Sequence, residues 1–243
     1  MVNIVKAEHQ KAKRTMRQKF VWGFPLFTFA MAFIFTLGMK NAYAESVWNW
    51  WYALLLPGMI ALFCYLSVVQ EKKTKYYHLM TLPTRKSRLM MGKIIYIGCM
   101  ILISNVIVFA GATFGGFVLT THVPIGGAAM AVLLLTVTEL WEIPVALFLS
   151  ERFGMIINLF ICLLITVGGV VMSQTGKWYL LVSAIPMRIL CPVLHILPNG
   201  LPAEQGNPFL NMGVVVPGIG LSILWFVLAT VVFLKWFGKR EVK

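Results

Sequence analysis

The sequence predicts an all-α integral membrane protein with six transmembrane helices, and three observations predict it. Of its 243 residues, 59% are hydrophobic and only 12% are charged. That is about half the charged share of a soluble domain, so the bilayer must solvate much of the chain. Six apolar runs are long enough to cross a hydrocarbon core: 21–39, 51–69, 94–119, 128–149, 155–172 and 213–236. The basic residues, finally, fall almost entirely in alternate intervals between these runs.

The charge distribution fixes the expected orientation. Lys6, Lys11, Lys13, Arg14, Arg17 and Lys19 precede the first run, and Lys72, Lys73, Lys75, Arg85, Lys86, Arg88 and Lys93 separate the second from the third. Arg152 lies between the fourth and fifth, and Lys235, Lys239, Arg240 and Lys243 close the chain. These eighteen face one side, and Lys40, Lys177 and Arg188 face the other. The positive-inside rule then puts both termini in the cytoplasm, and a seventh span would break the pattern. A net charge of +13 on a water-soluble chain would suggest nucleic acid; sorted by membrane side, it implies no nucleic-acid partner.

The elements follow in order. Residues 1–20 read as a helix lying on the inner membrane surface, with Val5, Ala12, Met16 and Phe20 near one face and Lys6, Lys13 and Arg17 elsewhere. Ala42-Tyr43-Ala44 resembles a signal-peptidase site, but the apolar run before it is nearer a full span than a signal core, so the first helix is read as uncleaved. The cytoplasmic loop 71–93 is basic at both ends, with an aromatic and aliphatic middle, Tyr76, Tyr77, Leu79, Met80 and Leu82. Solvation does not require such a cluster; docking into another protein does.

Gly111 and Gly115 in the third span form a GxxxG pair that favours close helix packing in lipid. The fourth span carries Glu139 and Glu142 on one helix face, with Pro144 beyond them as a source of a kink. An ionisable group at that depth costs at least about 2.5 kcal/mol, so the pair is expected to face the protein interior, as part of a transport path or as a structural hydrogen-bonding element. Segment 173–212 is apolar over 178–197 yet contains Pro186, Arg188 and Pro192. It reads as short broken helices at the extracellular interface, partly re-entrant.

No catalytic set emerges. His9, His78, His122 and His195 all lie away from the span that holds the glutamates, and no P-loop sequence is present, since Gly176-Lys177 lacks the first glycine and is followed by Trp178. Cys64, Cys99, Cys162 and Cys191 show no metal spacing and read as small core residues without a disulfide. The chain is therefore not expected to be an enzyme or to hold a metal.

Several stretches resemble a known family. Lys6-Ala7-Glu8 through Lys13-Arg14-Thr15 looks like the start of ABC-2 type permeases. Glu71-Lys72-Lys73 through Leu82-Pro83-Thr84-Arg85-Lys86, then Gly92-Lys93, is similar to their first cytoplasmic loop. Leu140-Trp141-Glu142-Ile143-Pro144 through Ser150-Glu151-Arg152-Phe153-Gly154, and Pro186-Met187-Arg188 through Cys191-Pro192 to Pro198-Asn199-Gly200, resemble the lantibiotic-immunity permeases of the MutE/EpiE type. The resemblance covers essentially the whole chain and implies one ABC-2 type transmembrane domain over 1–243.

It also implies that loop 71–93 holds a cytoplasmic coupling helix inserting into an ABC ATP-binding subunit, itself a dimer. ATP and magnesium would bind there and not in this chain. A second, different permease subunit, membrane lipid and a lantibiotic peptide complete the implied partners, in a bacterial plasma membrane. Trp178, Arg188 and Asn199 are the residues expected to contact the peptide or gate its exit. An ABC-2 exporter of a lipid-linked sugar or drug, and a non-transporting sensor or assembly protein, remain the alternatives.

Overall fold

The computed structural model describes residues 1–37, 42–74, 76, 84–119 and 123–239. Ten α-helices carry these residues: α1 (Val2–Ala12), α2 (Met16–Phe35), α3 (Tyr43–Trp50), α4 (Leu56–Lys73), α5 (Lys86–Leu119), α6 (Ile125–Glu139), α7 (Glu142–Phe153), α8 (Met155–Ser173), α9 (Ala184–Leu194) and α10 (Val215–Gly238). Among the described residues the one β-type pairing is an isolated bridge, Ile196 with Pro202.

Five helices are long and apolar enough to cross a membrane, and six segments are if the bent pair α6–α7 counts as one. They overlap the six apolar runs. The protein is thus an all-helical, membrane-embedded bundle. Large apolar side chains cover its outside, among them Phe27, Phe114, Phe160, Val216 and Val232. In water these would be an aggregation surface; in lipid they are the expected coat.

Two irregularities in the spans have a proline as their cause. Between α3 and α4, residues Trp51–Leu55 form a π-helical turn in which Leu56 N–H reaches back to Trp51 C=O. Pro57 has no N–H to give the carbonyl one turn before it, so the helix widens and continues as one 31-residue span, Tyr43–Lys73. The second break lies between α6 and α7, whose axes bend by 44°. Pro144 sits in the first turn of α7, where its missing N–H is no loss, and the Leu140 carbonyl it leaves unserved accepts from Ile143 N–H at 3.2 Å instead.

α4 is the central helix. Its span is 67% buried, against 22% for α2, α8 and α10. α7 and α8 pack on α4, α2 and α6 flank α5, and α10 closes the ring against α5, α6 and α7. Neutral polar side chains tie the spans together inside. Trp51 Nε1–H donates to Asn105 Oδ1 at 2.8 Å, and Asn105 Nδ2–H donates to Thr136 Oγ1 at 2.9 Å. Asn158 Nδ2–H donates to the Ala61 carbonyl at 2.9 Å, joining α8 to α4.

At one end of the bundle, α9 is an 11-residue helix buried on nearly all sides. Three spans admit it through glycines. A Cβ on Gly127 of α6 would stand 2.0 Å from the Val193 carbonyl, one on Gly169 of α8 2.7 Å from the Ser183 backbone, and one on Gly218 of α10 2.5 Å from Ile189. Segment 173–212 is therefore broken helix packed against protein, as its prolines suggested. Gly111 and Gly115 also serve packing, but they receive rings: Phe29 and Tyr43 occupy the space their missing side chains leave.

One sequence expectation is corrected. Residues 1–20 are not one helix with Met16 and Phe20 on the face of Ala12. The chain turns at Lys13–Thr15, with Arg14 at φ 64°, and Met16 is half exposed. The face of α1 that turns inward carries Ile4, Glu8 and Ala12, with Ile4 filling the notch at Gly92 of α5. The physical reason is charge: Glu8 and Lys11 have partners inside the bundle.

Candidate functional site

Three groups of polar residues stand out in an otherwise apolar interior, and they lie at different depths. Acidic residues mark the first two. Of eight glutamates, Glu8, Glu45, Glu71, Glu139, Glu142 and Glu151 are buried, so acids in this chain serve the interior and not its solubility.

The first group joins the N-terminal helix to the roots of loop 71–93. Lys93 Nζ donates to Glu8 Oε2 at 3.1 Å, Glu71 Oε1 at 3.0 Å and Ser67 Oγ at 2.9 Å. Lys11 Nζ reaches Glu8 and Glu71 at 2.8 Å each. Two cations and two anions thus close a neutral ring across α1, α4 and α5. Arg17 is buried beside it, hydrogen-bonded to Gln70, whose Nε2–H donates to the Lys11 carbonyl. Burial alone would raise the Glu8 carboxyl, but Lys93 and Lys11 hold it below its ordinary value. Burial would likewise lower Lys11, and Glu8 and Glu71 instead hold it above its ordinary value.

The same end carries a second contact set. Glu151 at the end of α7 accepts from the Tyr76 hydroxyl at 2.5 Å, and Lys72 Nζ donates to the Glu151 carbonyl at 2.8 Å. The Tyr76 ring lies against Phe237 of α10 at 6.5 Å between centroids. The loop's start is therefore fastened to α7 and α10, as its roots are fastened to α1. Of the expected docking residues, Tyr76 is half-buried in this contact; Tyr77, Leu79, Met80 and Leu82 lie outside the described residues.

The second group is the glutamate pair. Glu139 ends α6 and Glu142 begins α7, so the 44° bend falls between them. Both are buried, as the cost of an ionisable group in lipid requires. Neither carboxylate oxygen of Glu142 has an N–H or O–H partner among the described residues, and the Cys162 thiol is close enough to act as a weak donor. Cys64 of α4 and Cys162 of α8 are its neighbours. Cys64 donates weakly to the Ile143 carbonyl at 3.6 Å. All four cysteines are free, and no group of three or more His, Cys, Asp or Glu among the described residues could hold a metal.

The third group is at the opposite end. Arg188 of α9 places its guanidinium 4.0 Å from the centroid of Phe209, a cation–π contact, while its Nε and Nη1 have no hydrogen-bond partner among the described residues. Trp178 is half-buried in a 3₁₀ turn, its ring edge-on to Tyr179. Asn199 is exposed and spends its side chain on the Leu201 N–H of its own turn. Asn49 binds that turn to α3 through the Pro198 carbonyl. Among the described residues no hydrogen bond or ring contact links Trp178, Arg188 and Asn199 to one another.

Sequence reasoning found the glutamate pair and Arg188. It passed over Glu8, Glu71, Lys93 and Arg17, taking them as surface charges. One signal was present: Glu8 is the single acid in a leader of six bases. Comparisons with family models, with curated proteins and with solved structures give no match.

Proposed function

We propose that this chain is the permease subunit of an ATP-driven ABC transporter that removes a lantibiotic peptide from the producing cell's own membrane. On this reading the basic end of the bundle is cytoplasmic, the membrane is a bacterial plasma membrane, and a separate ATPase dimer and a second, different permease complete the complex. The observation that carries the reading is the anchoring of loop 71–93. Glu71 and Lys93, at its two roots, share one buried ion ring with α1, and Tyr76 at its start is held on Glu151. A loop rooted this firmly transmits a push from outside into α1, α4, α5 and α7 together, because close-packed elements shift as units.

Two further features support it. The Glu139–Glu142 pair sits at a bend in a span, a joint able to change angle, and the pair supplies a polar surface inside the bundle. The buried helix α9 sets the half-buried Arg188 and the exposed turn at Asn199 at the end where a membrane-bound peptide would lie. The resemblance of the sequence to lantibiotic-immunity permeases selects the substrate.

The test is the inhibitory concentration of a peptide panel on a sensitive bacterium. The bacterium carries the three-gene set, the set without this gene, or the set with an inactive ATPase. Protection by the complete set alone, confined to one lantibiotic class, is the expected result. Equal protection without this gene would overturn the reading, and protection surviving the inactive ATPase would make the chain a passive binding protein.

A further inference from the structure

A cavity opens at the basic end between the last turn of α7 and the end of α10. Its volume is about 360 Å³, and Glu151, Arg152, Trp236 and Lys239 line it. Neither Arg152 nor Lys239 has a carboxylate within ion-pair distance among the described residues. Glu151 does not cancel them, because Tyr76 and Lys72 already engage its carboxylate, Lys72 at 3.7 Å. Among the described residues the cavity lining is therefore net cationic.

Its surroundings are ordered along the span. Trp236 stands edge-on to Phe148 at 4.8 Å between ring centroids, which fixes the indole at the cavity wall. One turn deeper on α10 is Val232, 67% exposed. The turn joining α7 to α8 is a single glycine, Gly154 at φ 84°. Two cations and an aromatic in the cavity wall, with the bare Val232 side chain one turn deeper, match an amphiphile with an anionic head.

We propose that this cavity binds the phosphate headgroup of an anionic phospholipid, with Arg152 and Lys239 as its ligands and an acyl chain lying along Val232. The guanidinium takes two phosphate oxygens and the ammonium one, in charge-assisted hydrogen bonds. The inference rests on membrane embedding alone and is independent of the transported substrate.

The experiment uses the full-length protein in phosphatidylcholine nanodiscs titrated with phosphatidylglycerol, with retained lipid read by native mass spectrometry. The double variant R152Q/K239Q should bind phosphatidylglycerol about thirtyfold more weakly, while K177Q, which removes a cation at the other end, should not change binding. The swap R152K/K239R should bind within about threefold of the parent chain, and a melting temperature shared by all variants shows that folding is intact. Inorganic phosphate in millimolar excess should leave the lipid bound. Unchanged binding in R152Q/K239Q, an equal loss in K177Q, or displacement by inorganic phosphate would each overturn the assignment, the last in favour of a free-anion site.

Discussion

Lys93 Nζ lies 3.1 Å from Glu8 Oε2, across 85 residues of chain, and both side chains are buried. This pair, closed into a ring by Glu71 and Lys11, is where the N-terminal helix meets the roots of the second and third spans. Removing one member strands a charge in a water-poor site, which typically costs about 3–5 kcal/mol. Lys93→Met and Glu8→Gln should each lower the melting temperature sharply in detergent. The double variant should recover part of the loss, because its two stranded groups disappear together. Strict additivity in that double-mutant cycle would show that the two side chains do not interact.

The ring also sets a pH window. Glu8 is held below its ordinary value in the folded protein, so its contribution is present above the unfolded value, about 4.3, and is lost as pH falls through the folded one. Lys11 is held above its ordinary value, so its contribution is present below about 10.4 and is lost as pH rises through the folded value. Melting temperature plotted against pH should be flat between these limits and fall on both sides. Glu8→Gln should flatten the acid limb, and an acid limb of unchanged height would remove Glu8 from its cause.

Among the described residues no N–H or O–H meets the two buried carboxylate oxygens of Glu142, and the nearby Cys162 thiol offers only a weak donor, a poor arrangement for stability alone. Glu142→Leu, which replaces them with apolar atoms of similar volume, should raise stability by about 1–3 kcal/mol and abolish peptide protection. A fall in stability would mean that the carboxyl has a structural partner. In the pair variant E139Q/E142Q, loss of protection would assign the role to ionisation, and retained protection would assign it to hydrogen bonding.

The seat of α9 is testable by one methyl group. A Cβ on Gly127 would lie 2.0 Å from the Val193 carbonyl, whereas one on Gly126 would meet nothing within 4 Å. Gly127→Ala should destabilise the protein by at least about 1–3 kcal/mol, while Gly126→Ala should leave it unchanged or slightly more stable. Equal melting temperatures for the two variants would refute the close approach of α6 and α9.

For the proposed coupling to an ATPase, Leu79→Asp in loop 71–93 should abolish co-purification of that subunit without affecting membrane insertion, since charging an apolar knob removes its hot spot. Tyr76→Phe, which deletes the hydroxyl that meets Glu151, should keep co-purification and weaken the dependence of transport on ATP hydrolysis. Normal co-purification of the Leu79→Asp protein would move the docking surface elsewhere.

The sequence by itself determined the all-helical membrane class, the apolar runs that the candidate spans overlap, and the broken character of segment 173–212. Each depends on local quantities: run length, hydropathy, and prolines such as Pro57, Pro144, Pro186 and Pro192 that act on their own helix turn. It also identified Glu139 and Glu142 as interior residues, because lipid offers a carboxyl no partner at any fold. Only the tertiary structure decided that Glu8, Glu71 and Lys93 are buried. In the sequence these are charges at the edges of basic segments, where water would satisfy them equally well. Pairing over 85 residues for Glu8 and Lys93, and 60 for Lys11 and Glu71, depends on which helix ends the bundle brings together. The same holds for α9: Gly127, Gly169 and Gly218 are unremarkable on three separate spans, and they acquire a purpose only where those spans converge on one short helix.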